Sequence, residues 1–263
     1  LVIIIHIDII RGLNQMLMSR LNLTTALLLL SLTTTHMLQA QITDPVATEV
    51  WEPVPRIVTP SGGSAAPSDA IVLFDGRDAD YWAHQDGSPV QWIIEDGIMT
   101  VVGGTGSIFT KEKFGDCQLH LEWRAPAIIE GDGQGRGNSG VFLQNRYEVQ
   151  ILDNYQNRTY SNGQASSIYK QSIPLVNAMS PPGEWNSYDI IFKAPTFNTD
   201  GLRTSAGYIT VLHNGVLTQN HTELKGTTEY IGLPTNEAHG ADIIQLQDHS
   251  NPVSYRNIWI RKL

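Results

Sequence analysis

Asn138-Ser-Gly-Val-Phe-Leu-Gln-Asn-Arg-Tyr-Glu-Val-Gln-Ile-Leu-Asp153 reads as two alternating strands joined by a tight turn at Asn145-Arg146. Alternation of apolar and polar residues is the period of a strand with one face in a core. Asn tolerates the positive φ that a two-residue hairpin demands, although Arg is less usual than Gly at the second position. Pairing Gln144 with Tyr147 then sets the register. It places Gly140, Phe142, Tyr147, Val149 and Ile151 on a core face, with Ser139, Val141, Leu143, Glu148 and Gln150 opposite. The second face carries an acid and an amide two residues apart, a spacing suited to a ligand rich in hydroxyl groups.

On either side the punctuation is that of an all-β chain. Ile71–Phe74 makes a short strand ended by Asp75-Gly76, and strands at 91–94 and 98–102 flank Asp96-Gly97, a hairpin signal. Residues 118–124 alternate Leu119, Leu121 and Trp123 against His120, Glu122 and Arg124. Further strands are expected at 185–193, 208–213, 216–219, 243–247 and 253–260, with Asn214-Gly215 the strongest turn signal. Residues 127–137 hold four Gly and no period, and 154–183 reads as a long surface loop. No segment from residue 68 onward sustains a helical period over three turns. Short strands with frequent turn signals predict two packed antiparallel sheets, and no repeat of fixed period points to a propeller or solenoid.

Residues 68–263 are therefore expected to form one β-sandwich domain. Residues 41–67, with five Pro and Ser61-Gly-Gly-Ser, read as a flexible leader. Residues 1–40 read as upstream sequence and a secretory signal peptide: Met16 or Met18 as start, Arg20, the apolar run 26–32, and Ala40 before a cleavage point. Thr, Asn22, Ser31 and His36 interrupt that run, which argues against a stable membrane span. The net charge of −9 and pI of 5.3 disfavour nucleic acid and anionic membranes as partners. A single cysteine, Cys117, excludes a disulfide framework and reads as an inert core thiol.

Several phrases occur in order along the chain. They are Leu73-Phe-Asp-Gly76, Trp92 with Glu95-Asp-Gly97, Asn138-Ser-Gly-Val-Phe-Leu143 and Tyr147-Glu-Val-Gln-Ile-Leu-Asp153. Pro182-Gly-Glu-Trp-Asn186, His213-Asn-Gly-Val216, Leu246-Gln-Asp-His249, Asn251-Pro252 and Arg256-Asn-Ile-Trp259 follow. Together they resemble the 3-keto-disaccharide hydrolase domain family over about residues 68–263. The resemblance implies a concanavalin A-like β-sandwich (jelly roll), exported by bacteria to the periplasm or beyond. It also implies action on a small carbohydrate, a glycoside already oxidised to a ketone at C3.

The residues can be weighed against that chemistry. An ordinary glycosidase flanks the bond with two carboxyls, and the alternate positions here read Glu148, Gln150 and Leu152, with one acid. A 3-keto sugar needs instead a base for the C2 proton, donors for the enolate oxygen and an acid for the leaving oxygen. Glu148 and His249 are the expected catalytic pair, with roles undivided. Asn138, Gln150, Asp153, Gln247, Arg256, His239 and Arg136 are the expected substrate-binding residues. Rival structural roles exist for each, notably a turn cap for Asp153 and a carboxylate partner for Arg256. No cofactor is predicted; a divalent metal would require Glu148, His249, His239 and Asp242 to converge. A carbohydrate-binding module is the alternative if Trp82, Trp92 or Tyr155 line an open face, and a conventional glycosidase if a second carboxylate lies near Glu148.

Overall fold

A computed structural model of the chain describes residues 43–60 and 65–263, with the isolated positions Met16 and Gly62. The expected signal peptide, Met16 apart, lies outside the described residues. The chain divides into two units, Leu1–Arg56 and Ile57–Leu263. In the first, Asp44 caps a short 3₁₀ turn, Pro45–Thr48, by accepting from Val46 N. In the second, the described residues form two main antiparallel sheets and a two-stranded ribbon.

In chain order the strands are β1 Ile71–Phe74, β2 Trp82–Ala83, β3 Ile93–Glu95, β4 Ile98–Thr100, β5 Ile108–Thr110, β6 Cys117–Arg124, β7 Ser139–Leu143 and β8 Tyr147–Ile151. They continue with β9 Asn186–Lys193, β10 Thr196–Phe197, β11 Arg203–Ser205, β12 Tyr208–His213, β13 Val216–Glu223, β14 Gln245–Leu246 and β15 Ser254–Lys262. The larger sheet runs β13-β12-β9-β6-β15-β4-β3, with β1 also on β15; the smaller runs β2-β5-β14-β7-β8. This is the two-sheet antiparallel sandwich expected. Asp96-Gly97 and Asn214-Gly215 turn as their sequences demand, each with positive φ at both positions.

The alternating strands bury their apolar sets between the sheets. Leu119, Leu121 and Trp123 of β6 meet Val141, Leu143, Tyr147, Val149 and Ile151 of the hairpin in one core. Each such side chain contributes about 1.5–3 kcal/mol by leaving water. Cys117 belongs to that core, and burial pushes its thiol up to about 12. Trp82 and Trp92 are core residues too, and Tyr155 packs against the core, so none is an open platform.

Two expectations need correction. The hairpin pairs Leu143, not Gln144, with Tyr147. Its turn has three residues: Gln144 and Asn145 both take positive φ, and Arg146 N donates back to Leu143 O at 3.1 Å. A one-residue slip exchanges the faces of a strand. Ser139, Val141 and Leu143 therefore face the core, while Gly140 and Phe142 join Glu148 and Gln150 outside.

The second correction concerns 154–183, which is not a surface loop throughout. Ala165, Ser166, Ser167, Ile168, Tyr169 and Gln171 are buried. They run along the free edge of β8: Gln150 N donates to Ser167 O, Ser166 N to Gln150 O, and Tyr169 N to Glu148 O, at 2.9–3.1 Å. Buried amides supply the order that periodicity lacks here. Gln219 Nε2 donates to Ser166 O, Gln171 Nε2 to Gly226 O, and Asn154 Oδ1 accepts from Ala165 N.

Candidate active site

The outer face of the smaller sheet floors a cavity of about 610 Å³, a volume suited to a small ligand. Glu148, Gln150 and Phe142 form the floor. Gly140 makes room for the carboxyl: a Cβ there would stand 2.6 Å from Glu148 Oε1. Glu148 is 4% exposed, forms no ion pair among the described residues, and desolvation raises its pKa to about 8. Burial without a compensating charge disfavours the ionised form, so this carboxyl holds its proton near neutrality.

With its nitrogen toward the carboxyl, the Gln150 carboxamide donates to Glu148 Oε1 at 2.9 Å and to Ser139 O at 3.1 Å.

One wall follows β14 and the glycine-rich loop. Asn138 donates through Nδ2 to Gln134 O at 2.7 Å, and its backbone N is held by Asn251 Oδ1 at 2.7 Å. Gln247 N donates to Gly140 O and Gln247 O accepts from the Ser139 hydroxyl, while the side-chain Oε1 is buried without a partner among the described residues, an acceptor that a ligand hydroxyl can satisfy. His249 sits exposed at the rim. Asp248 does not orient it: its Oδ2 accepts from Gly104 N and Gly106 N, and its Oδ1 from Ser250 N.

The opposite wall was not legible in the sequence. Tyr160, Tyr169, Lys170, Thr228 and Tyr230 come from segments without strand period. The Tyr160 and Tyr169 hydroxyls lie 2.5 Å apart, and burial pushes both phenols up, so both stay protonated. Lys170 Nζ donates to Tyr230 O and lies 4.4 Å from that ring's centroid. The Thr228 hydroxyl accepts from Glu148 N at 3.0 Å. A density of Tyr, Asn, Gln and Ser between 154 and 172 is the signal that could have marked the first half of this wall.

Thus the cleft gathers Glu148, His249, Asn138, Gln150 and Gln247, and leaves four expected ligand contacts elsewhere. Arg136 donates from Nε to Asp153 Oδ2 at 2.7 Å and from a terminal nitrogen to Tyr155 O at 3.0 Å, while Asp153 Oδ1 accepts from Tyr155 N. That pair locks the base of the glycine-rich loop. Arg256, on the larger sheet, donates to Glu122 Oε2 at 2.6 Å and stacks 4.1 Å over Trp185. His239 is 2.6 Å from the Tyr147 hydroxyl, on the core side of β8. Asp242 pairs with Arg146 and Lys113, so the four residues that a divalent metal would require do not converge, and no cluster of three potential ligands occurs among the described residues.

A family model described as the 3-keto-alpha-glucoside-1,2-lyase-like domain matches residues 69–261. The chain is 54% identical to a candidate glycosyl hydrolase of known structure from Parabacteroides distasonis ATCC 8503, with a TM-score of 0.80 over 84% of this chain and 97% of that one. Two further candidate glycosyl hydrolases from the same organism share the fold at 20% and 21% identity, with TM-scores of 0.55 and 0.52. Each match spans 74% of this chain, and 94% and 99% of theirs. Among curated proteins, none matches the chain. On the extent of the family match and of the 54% identical relative, the chain belongs to the 3-keto-alpha-glucoside-1,2-lyase-like domain family.

Proposed function

We propose that this protein is an enzyme that cleaves glycosidic bonds, and that its substrates are 3-keto-glycosides. The observation that carries the reading is Glu148: among the described residues the one carboxyl lining the cleft, buried and raised to about 8. Conventional glycosidases need a second carboxyl roughly 5 Å away for retention or about 6.5–9.5 Å for inversion. A raised carboxyl is a stronger base than an ordinary one, which suits removal of a proton from carbon.

In this reading Glu148 takes the proton from C2, acidified by the neighbouring ketone, and the C–H electrons form an enolate. The Tyr160 hydroxyl, held in place by the Tyr169 hydroxyl, donates to its oxygen. As the ketone re-forms, the electrons make a C1=C2 double bond and the C1–O bond breaks. His249, at the rim beside β14, protonates the departing oxygen. Water then adds its oxygen to C1 and a proton to C2, so the net reaction is hydrolysis; release before this step would be lyase chemistry. Localisation outside the cytoplasm belongs to the same proposal, on the apolar run 26–32 after Arg20, and cell fractionation tests it.

The test is incubation of the purified protein with a 3-keto-glucoside and with its unoxidised parent. The expected result is cleavage of the keto sugar alone, with solvent deuterium entering C2. Cleavage of the parent at an equal rate, or turnover without C2 exchange, would overturn the proposal.

A further inference from the structure

We infer that the cleft continues across the smaller sheet into a further saccharide subsite, so that the enzyme accepts chains of up to three sugar units from their non-reducing end and gains from their length. The inference rests on the reading of the Glu148 cleft as the site of 3-keto-glycoside cleavage, and deepens it.

The register of the sheet supplies the first argument. Glu148 lies opposite Phe142, Phe142 opposite Gln245, and Gln245 opposite Phe109. Directly paired residues share a face, and the alternating neighbours Val141, Leu246 and Ile108 are all in the core. Glu148, Phe142, Gln245 and Phe109 thus form one row on the outer face. Three strand spacings separate its ends, about 14 Å. That is the reach of a short oligosaccharide lying across the strands.

At the far end of the row is a second cavity of about 520 Å³, lined by Phe109, Gln245, Gln91, His84 and Asn145 among others. Asn145 belongs to the turn of the same hairpin that bears Glu148. An aromatic ring with several amides is the lining that suits the apolar face and hydroxyl groups of a sugar. Among the described residues no Lys or Arg lines the cavity and Asp86 does, so a neutral sugar fits it better than an acidic one. His84 is fixed as part of the wall: Nε2 accepts from Gln91 N at 3.0 Å, and Nδ1 donates to Ser107 O at 3.0 Å.

The near end is bounded by a wall, which sets the polarity. The free edge of β8 is covered by residues 166–169, and Tyr160, Tyr169 and Tyr230 line the cleft with them. A terminal keto sugar fits against this wall, while its C1 substituent runs away from it, past β14 and His249, toward Phe109. An internal keto unit would push a further sugar into the wall.

The experiment compares the full chain with Phe109→Ala and Phe109→Leu on three substrates oxidised at C3 of the non-reducing glucose. These are a methyl glucoside, a disaccharide and a trisaccharide. Wild-type kcat/KM should rise about 10-fold or more from methyl glucoside to trisaccharide. Phe109→Ala should remove most of that gain through KM, leaving the methyl glucoside unchanged. Phe109→Leu, which keeps apolar volume without a flat ring, should fall between. Length-independent wild-type kinetics, or equal loss on all three substrates, would overturn the subsite and leave the proposed reaction standing. Cleavage of none, with binding of the unoxidised trisaccharide weakened by Phe109→Ala, would overturn the reaction and leave the subsite standing.

Discussion

The sandwich buries a glutamate on the outer side of each main sheet and treats the two in opposite ways. Glu122 of β6 is 8% exposed and Glu148 of β8 is 4% exposed. Glu122 accepts from Arg256 Nε at 2.6 Å and from Asn257 Nδ2 at 3.0 Å, and the Trp185 ring covers the guanidinium. Glu148 has a backbone-bare glycine, an amide and phenols for neighbours, and no cation pairs with it among the described residues. A neutralised carboxylate holds two strands in place. An uncompensated one holds a proton whose release can be coupled to substrate.

The comparison can be broken most severely at Glu148. Glu148→Gln should lower kcat on a 3-keto-glucoside by about 10²–10⁴-fold, measured at saturating substrate. It should also flatten a pH dependence of stability. Because the folded state raises this carboxyl from 4.5 to about 8, the native protein binds the proton more tightly than the unfolded chain. Wild type therefore loses stability as pH rises from about 4.5 to 8, and the variant should not. A base acts as carboxylate, so kcat/KM should climb to a limb near pH 8; an acidic limb near 4.5 would contradict the assignment.

Gly140→Ala comes next. Its Cβ would stand 2.6 Å from Glu148 Oε1 and displace the carboxyl. About 10²-fold lower turnover with a retained fold is expected, from mispositioning alone. Arg256→Met attacks the other glutamate: urea unfolding should register a loss of about 1–3 kcal/mol, tempered by the half-exposed guanidinium. Activity per folded molecule should stay within about 2-fold of wild type; a large fall in kcat would return Arg256 to the site. The smallest effect belongs to Tyr169→Phe, which removes the bond to Tyr160. A loss of about 1 kcal/mol, seen as a few-fold change in kcat/KM, is expected.

The strands were legible because alternation and turn dipeptides act locally, and Glu148 with Gln150 was assigned to the outer face correctly. The opposing strand was inverted because Gln144 takes a positive φ that its identity does not announce. Arg136, Asp153, Arg256 and His239 had the right chemistry for ligand contact, but each is occupied by a partner that only folding supplies. Tyr160, Tyr169 and Tyr230 escaped notice because irregular chain ordered by buried amides carries no period. Gln247 and His249 reached the cleft because β14 is inserted between β7 and β5, a topology that a local pattern does not encode.

The cover along β8 has a consequence for solubility. β8 is the last strand of its sheet, and an open strand edge is a template for pairing with other chains. The backbone bonds from residues 166–169 occupy that edge. Shortening this segment to widen the cleft would also unmask Val149 and its neighbours to intermolecular strand addition. Variants selected for broader specificity there should be screened for aggregation by light scattering before their kinetics are interpreted.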